Sequence, residues 1–266
     1  MLITNEQIEH YIEKIPPVPK VLQKTLMLLR EGELVQAASV AKEDKALASY
    51  LKELVNKPVY GFSNEVSDVS QIFGILGVAR SQQAVYAYMV SLLSPDKWEF
   101  FALNKNTFYA LQADLAVSWG KILQHLKINN NDIKSAIALI PASVIVSEAL
   151  FNEKKDEVVL LRSTHDIDLN TILQRLCDKD LFDICVQIAQ KWEMDPKIVA
   201  LIRSSSGVHP SSNEKIDLLA KWMHLLLFYT FSQPAYIEAG LNDFLEFQIG
   251  YVSDIYDEFA TVMEIA

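Results

Sequence analysis

Between Ile15 and Gly77 the chain repeatedly stops itself. Ile15-Pro16-Pro17-Val18-Pro19, Gly32, Asp44, Asn56, Pro58, Gly61, Ser67 and Gly77 all interrupt or restart a helix. Pro lacks an amide donor and restricts the residue before it, Gly tolerates the left-handed turn that closes a helix, and Asp or Ser caps a helix start. Between these stops the apolar residues keep three- and four-residue spacing: Ile8, Tyr11, Ile12 and Ile15, then Leu22, Leu26 and Leu29, then Leu47, Leu51, Leu54 and Val55, then Val69, Ile72, Phe73 and Leu76. That period belongs to one face of a helix, not to a strand. A stepped series of short amphipathic helices is therefore required before any other reading of the chain is attempted.

The individual starts and stops are specific. Thr4 and Gln7 form a capping box with Ile3 and Ile8 as a hydrophobic staple. Pro19 occupies a first-turn position, and Gly32 follows the second helix. A short helix over 35–42 comes next. Asp44 caps a fourth helix and Ser67 a fifth, which Gly77 ends, and a sixth covers 79–93. Further on, Ser94-Pro95 reads as a new helix start. A long helix over 106–126 carries Phe108, Leu111, Leu115, Trp119 and Ile122. Asp132 is the next cap, for the apolar stretch Ile133–Phe151, in which Pro141 predicts a kink or break. Residues 152–168 read as a charged, turn-rich loop. Helices return at 169–177, 181–193 and 196–204, with caps at Asp180 and Asp195. After a loop at 207–213, helical periodicity runs through Leu218–Phe231 and the series Phe244, Phe247, Tyr251, Ile255 and Phe259.

Composition agrees. Half of the 266 residues are hydrophobic and only 8 are Gly, which suits a large helical core better than a many-turned sheet. The formal charge of −10 repels phosphate backbones and anionic lipid, so neither nucleic acid nor a membrane is expected as partner. Two cysteines, Cys177 and Cys185, do not make a disulfide framework. The start of the chain shows no basic-then-apolar leader, and Leu218–Phe231 is too short to span a bilayer. A cytoplasmic protein is the expectation.

The Pro-rich lead, the Asp44 cap before a Leu-containing helix, Leu54-Val55-Asn56, Tyr60-Gly61 and Leu76-Gly77 fall in an order and spacing that resembles the HDOD family, the output-domain relatives of HD phosphohydrolases. The likeness is carried over Ile12 to Met89, with a looser match to about Ser206. Two departures stand out: Lys45 and Lys57 replace the family's usual Pro and Ser. The resemblance implies an all-α fold of two packed lobes, the second a degenerate HD-like bundle. It also implies a bacterial signal-transduction role through protein contacts. The boundaries expected are an N-terminal lobe over 1–93, an HD-like lobe over 94–208 (together the HDOD domain, 1–208) and a C-terminal helical extension over 209–266.

In HD phosphohydrolases, His residues and an adjacent His-Asp pair hold a metal that activates water. Matching those positions here gives Leu111 and Gln112 on the long helix. The pair falls at Ile140-Pro141 or, in a second register, Val146-Ser147. The later positions hold Leu181 and Ser204-Ser205-Ser206. None supplies a ligand set. The literal doublet His165-Asp166 lies in the predicted polar loop, where two residues alone make no metal site. His10, His125, His209 and His224 lack ligand spacing. His125 suits a helix C-terminus, and His224 reads as a hydrogen-bonded core histidine. Cys177 and Cys185 read as thiols without a zinc partner set. Ser204–Gly207 reads as a plain loop, and Asp254, Asp257 and Glu258 as a solvated face. Trp98, Phe100 and Phe101 cannot share one helix face, which leaves core packing or an interface. Leu218–Phe231 is either monomer core or a homodimer face. No catalytic, cofactor-binding or metal residue is therefore expected. The preferred role is a non-enzymatic regulatory domain with an unknown signalling protein as partner. The alternatives are a pseudo-enzyme that binds a nucleotide or cyclic nucleotide in the old cleft, and a hydrolase with relocated ligands that include His165-Asp166.

Overall fold

The computed structural model describes residues 5–56, 64–165 and 167–265, and among these every regular element is helical. The first lobe contains α1 (Asn5–Lys14), α2 (Lys20–Arg30), α3 (Leu34–Ala41), α4 (Lys45–Val55) and α5 (Val69–Ser91). The second contains α6 (Lys105–His125), α7 (Asn131–Ala136), a 3-10 turn at Ile137–Leu139, α8 (Ile140–Glu153), α9 (Lys155–His165), α10 (Leu169–Cys177), α11 (Leu181–Lys191) and α12 (Pro196–Ser204). The chain ends in α13 (Glu214–Phe231), α14 (Pro234–Glu238), α15 (Ile249–Val252) and α16 (Tyr256–Met263). One contiguous apolar core runs through all of it.

Local signals set most of the boundaries. Asp44 accepts from the amides of Ala46 and Leu47, and Gly32 sits at φ +82° behind α2. Asp180 and Asp195 cap α11 and α12. Pro141 lies in the first turn of α8, where the chain leaves the 3-10 turn, so the predicted break is present. Asn56 does more than end α4. Its amide donates to the Val66 carbonyl (2.8 Å) and accepts from the Val66 N–H (2.9 Å), tying the end of α4 to the approach of α5. Ile3, Thr4, Pro58, Tyr60 and Gly61 lie outside the described residues.

Gly77 ends the fifth helix as expected: its non-helical backbone (φ +68°, ψ 176°) separates two helices that abut within α5. Five expectations are corrected. The cap of α5 is Asp68, which accepts from Ser70 and Gln71, rather than Ser67. Asn130, not Asp132, caps α7, because only its side chain reaches the Ile133 amide. Ser94-Pro95 starts no helix, and the chain stays irregular up to the Asn104 cap of α6. Residues 155–165 are helical: Asp156 and Glu157 sit in the first turn, where negative charge favours the helix, and Val158 is buried. Likewise Phe244 and Phe247 lie in non-helical chain between α14 and α15.

The lobes are joined by α5, which packs on α2, α3 and α4 and also on α7 and the 3-10 turn. In the other direction α1 lies against α8 and α11, with the Tyr11 hydroxyl donating to Glu153 (2.6 Å) and Lys191 to the Glu13 carbonyl (2.8 Å). The C-terminal helix α13 packs on α6 and α12. The stretch 131–153 is long and apolar enough to cross a membrane, but 89% of its most apolar window is buried inside the molecule, as the central layer of the second lobe.

Candidate functional site

The positions matched to the metal ligands lie on α6, α8, α11 and the end of α12, and α11 packs on both α8 and α12. They are filled with core side chains. Leu111, Ile140, Ser147 and Ser205 have no exposed surface, and Leu181 and Ser204 are nearly as buried. Hydrocarbon, a prolyl ring and neutral hydroxyls are poor partners for a hard divalent ion, which selects carboxylate and imidazole. Among the described residues no three His, Cys, Asp or Glu converge in a way that could hold a metal.

The other candidates disperse. His165 is the last residue of α9, not part of a loop, because that segment is helical; Asp166 lies outside the described residues. His10 and His209 are exposed. His125, near the end of α6, bonds Glu258 (2.6 Å), and Asp254 pairs with Lys221 (2.7 Å), so that acidic face partly serves to fasten the C-terminal segment. Cys185 is fully buried in α11, and burial pushes its thiol pKa up, which disfavours the reactive thiolate. The Cys177 side chain lies outside the described set. Phe101 is buried, while Trp98 and Phe100 pack on the core. Phe100 stacks at 4.9 Å from Phe151, and Phe101 lies 5.6 Å from Phe244, so the aromatic cluster is core packing.

Two polar arrangements escaped the sequence reading. The first is Glu148, buried in α8, whose carboxylate accepts from the amides of Glu99 (2.6 Å), Phe100 (3.0 Å) and Phe101 (2.8 Å). This explains the missing helix after Ser94-Pro95: a tertiary acceptor takes the amides and holds the segment as a turn. The second is a cavity of about 580 Å³ between α4, α5, α6 and α7. The only sequence signal for it is the run of small residues on one side of α5 and α6.

His224 is the bonded core histidine that the sequence suggested. Its Nδ1 donates to the Ser205 carbonyl (2.8 Å) and its Nε2 accepts from the Gln248 amide (3.1 Å), which requires the neutral ring. Burial pushes its pKa below the ordinary value, against a smaller opposing effect of the Ser205 carbonyl. In the unfolded chain the ring takes a proton near pH 6.5, whereas in the folded protein it does so only at lower pH. Stability therefore falls as pH drops below about 6.5, by at most about 1.4 kcal/mol per pH unit from this group. Asp180, raised to about 6 by burial and by Asp183, acts in the opposite sense. Urea midpoints at pH 7.5 and 5.5 for the wild type and His224→Gln isolate the histidine: the substitution removes its share of the acid loss. An unchanged pH dependence refutes the assignment.

With this frame in place the class is an all-α, HD-like helical domain. The HDOD domain model matches residues 15–208, and the chain belongs to the HDOD domain family. No curated protein matches. Among solved structures, the chain is similar to an HDOD domain protein of unknown function from Geobacter sulfurreducens. The TM-score is 0.64 at 15% identity, covering 98% of this chain and 95% of that one. It is also similar to a protein from Shewanella amazonensis titled as a candidate phosphohydrolase, with TM-score 0.65 at 17% identity and coverage of 97% and 96%. A second protein of that organism, titled as a candidate metal-dependent phosphohydrolase, matches at TM-score 0.50 and 11% identity, with coverage of 89% and 96%. At these identities the likeness establishes the fold alone.

Proposed function

We propose that this chain is a non-catalytic regulatory domain that works in a bacterial cytoplasm through contacts with a signalling protein. The observation that carries this reading is the chemistry of the matched ligand positions. Where a phosphohydrolase needs imidazole and carboxylate, Leu111, Gln112, Ile140, Pro141, Val146, Ser147, Leu181 and Ser204–Ser206 stand instead, most of them sealed in the core. Neither a Lewis-acidic ion nor an activated water has side chains there to hold it. The helical frame is nevertheless kept, which suits a role carried by surfaces.

The test is a metal analysis of the full chain, purified after growth with added manganese and iron, together with a phosphoester hydrolysis assay. The expected result is substoichiometric metal and no turnover above buffer. One divalent ion per chain, with turnover lost in His165→Ala, overturns the reading in favour of relocated ligands.

A further inference from the structure

The cavity between the lobes is a built space, not a packing defect. Its walls are small: Ala79, Ala84 and Ala87 on α5 face Ala113, Ala116 and Gly120 on α6. Short side chains on both helices leave the room. Its volume, about 580 Å³, lies in the range of small-molecule sites.

Three hydrogen bonds fix the direction of the two helices. Gln112 Nε2 on α6 donates to the Ala87 carbonyl on α5 (3.0 Å). Further along α6, Trp119 Nε1 donates to the Ile133 carbonyl (2.9 Å), while Gln83 Nε2 on α5 donates to the adjacent Lys134 carbonyl (3.3 Å). Moving forward on α6 thus means moving back on α5, so the helices are antiparallel. The cavity follows α6 from Tyr109 to Gln124, about 22 Å at 1.5 Å per residue.

Its two ends differ in chemistry. At one end are Tyr50 and Tyr109, edge to face at 5.9 Å, and Gln112. Gln112 is 7% exposed, and its Oε1 meets no donor among the described residues. Flipping the amide does not help, because the Ala87 carbonyl requires the NH2 group. An unmet acceptor at this depth calls for a donor from elsewhere. At the other end are Arg80, Lys121 and Lys134, against one lining acid, Glu53. Arg80 has no partner among the described residues. Among the described residues Lys134 bonds only the neutral Asn129 amide (2.7 Å), and Lys121 reaches Glu264 only at 3.8 Å. Three cations gathered at one cavity of a protein with charge −10 mark an anion site.

We propose that this cavity binds a small elongated organic anion. Its planar ring carries an N–H or O–H donor to Gln112 Oε1 between the tyrosines and the alanine walls. Its phosphate or carboxylate lies at Arg80, Lys121 and Lys134. Such a ligand touches α4 and α5 of one lobe and α6 and α7 of the other, so it bridges them. The cavity shares Gln112 with the matched phosphohydrolase positions but none of those on α8, α11 and α12, and its failure leaves the regulatory reading standing.

The experiment is calorimetric titration of the full chain with adenosine 5′-monophosphate and with indole-3-propionate, which separate phosphate from carboxylate as the anionic group. Inorganic phosphate and adenosine serve as the two halves. Saturable binding of either whole probe is expected, with each half at least about tenfold weaker. Gln112→Leu is expected to weaken binding about tenfold with little change in the melting temperature of the free protein, since the orphaned acceptor it removes offsets the lost bond to the Ala87 carbonyl. Exposed Arg80→Glu weakens it by a similar factor, and Ala116→Trp, which fills the space, abolishes it. Should Ala116→Trp fail to fold, the Arg80 variant decides. No binding of either whole probe up to about 1 mM overturns the proposal. So does binding that Arg80→Glu and Gln112→Leu leave unchanged.

Discussion

Glu148→Ala is expected to lower the melting temperature by about 10 °C, corresponding to a loss of about 4 kcal/mol. The carboxylate is 3% exposed and accepts three backbone amides in succession, those of Glu99, Phe100 and Phe101. Deleting it leaves three donors of a non-helical segment without acceptors; the Phe101 amide is buried and the other two partly so, and an unmet buried donor costs about 1–3 kcal/mol. Loss is not confined to hydrogen bonds. The turn aims Phe101 at Phe151 and Phe244 and sets Phe100 against Phe151, so freeing the amides also loosens an aromatic cluster. Glu148→Gln is the informative companion. The amide oxygen can still serve Glu99 and Phe100, but its NH2 then faces the Phe101 N–H, donor against donor. The expected order of stability is Glu, Gln, Ala. Denaturant midpoints for the three proteins check it. A Glu148→Ala protein within about 1 kcal/mol of wild type would mean that water or another group serves the turn.

The same residue shows where sequence reading stops. Caps are legible because they are local: Asp44, Asp180 and Asp195 sit within three residues of the amides they accept from. The break at Pro141 and the turn at Gly32 are legible for the same reason. Ser94-Pro95 offers an equally good local start signal, yet no helix follows, because the amides that would continue it into a second turn go to a residue 47 to 49 positions away. Nothing in the order of residues announces that partner. In sequence Glu148 is an isolated charge in the apolar run between Lys134 and Glu153, next to the Val146-Ser147 register matched to a metal pair. Residues 155–165 fail differently: charge density suggested a loop, while Asp156 and Glu157 in the first turn in fact favour the helix. Which side chains stand at the matched positions is readable too, since that is residue type alone. The cavity is not, because small residues predict close packing as readily as open space, and only the spacing of α5 and α6 decides between them.

Gly207→Ala is expected to cost about 3 kcal/mol and to loosen the C-terminal segment from α12. Two effects add. Gly207 sits at φ +76°, where a β-carbon costs about 1 kcal/mol. The added methyl would also lie 2.9 Å from Gln248 Cβ and 3.0 Å from Gln248 Cγ and Tyr251 Cδ1, and relieving such overpacking costs typically about 1–3 kcal/mol. Neither neighbour is free to move away. The Gln248 amide donates to His224 Nε2, and the Tyr251 hydroxyl bonds Asp217 Oδ1 (3.0 Å). The histidine in turn holds the Ser205 carbonyl, so the end of α12, the middle of α13 and the entry to α15 close on this one glycine. Gly240→Ala provides the control. Its φ is +81°, but nothing lies within 4 Å of the β-carbon, so only the backbone cost applies. The difference between the two variants, about 2 kcal/mol, measures the steric part. Amide exchange in the Gly207 variant is expected to quicken over 214–263 before it does so in α2–α4, because the clasp that fails lies at the C-terminal end. Equal losses in the two variants would show that Gln248 and Tyr251 yield without cost, and that His224 does not hold the clasp shut.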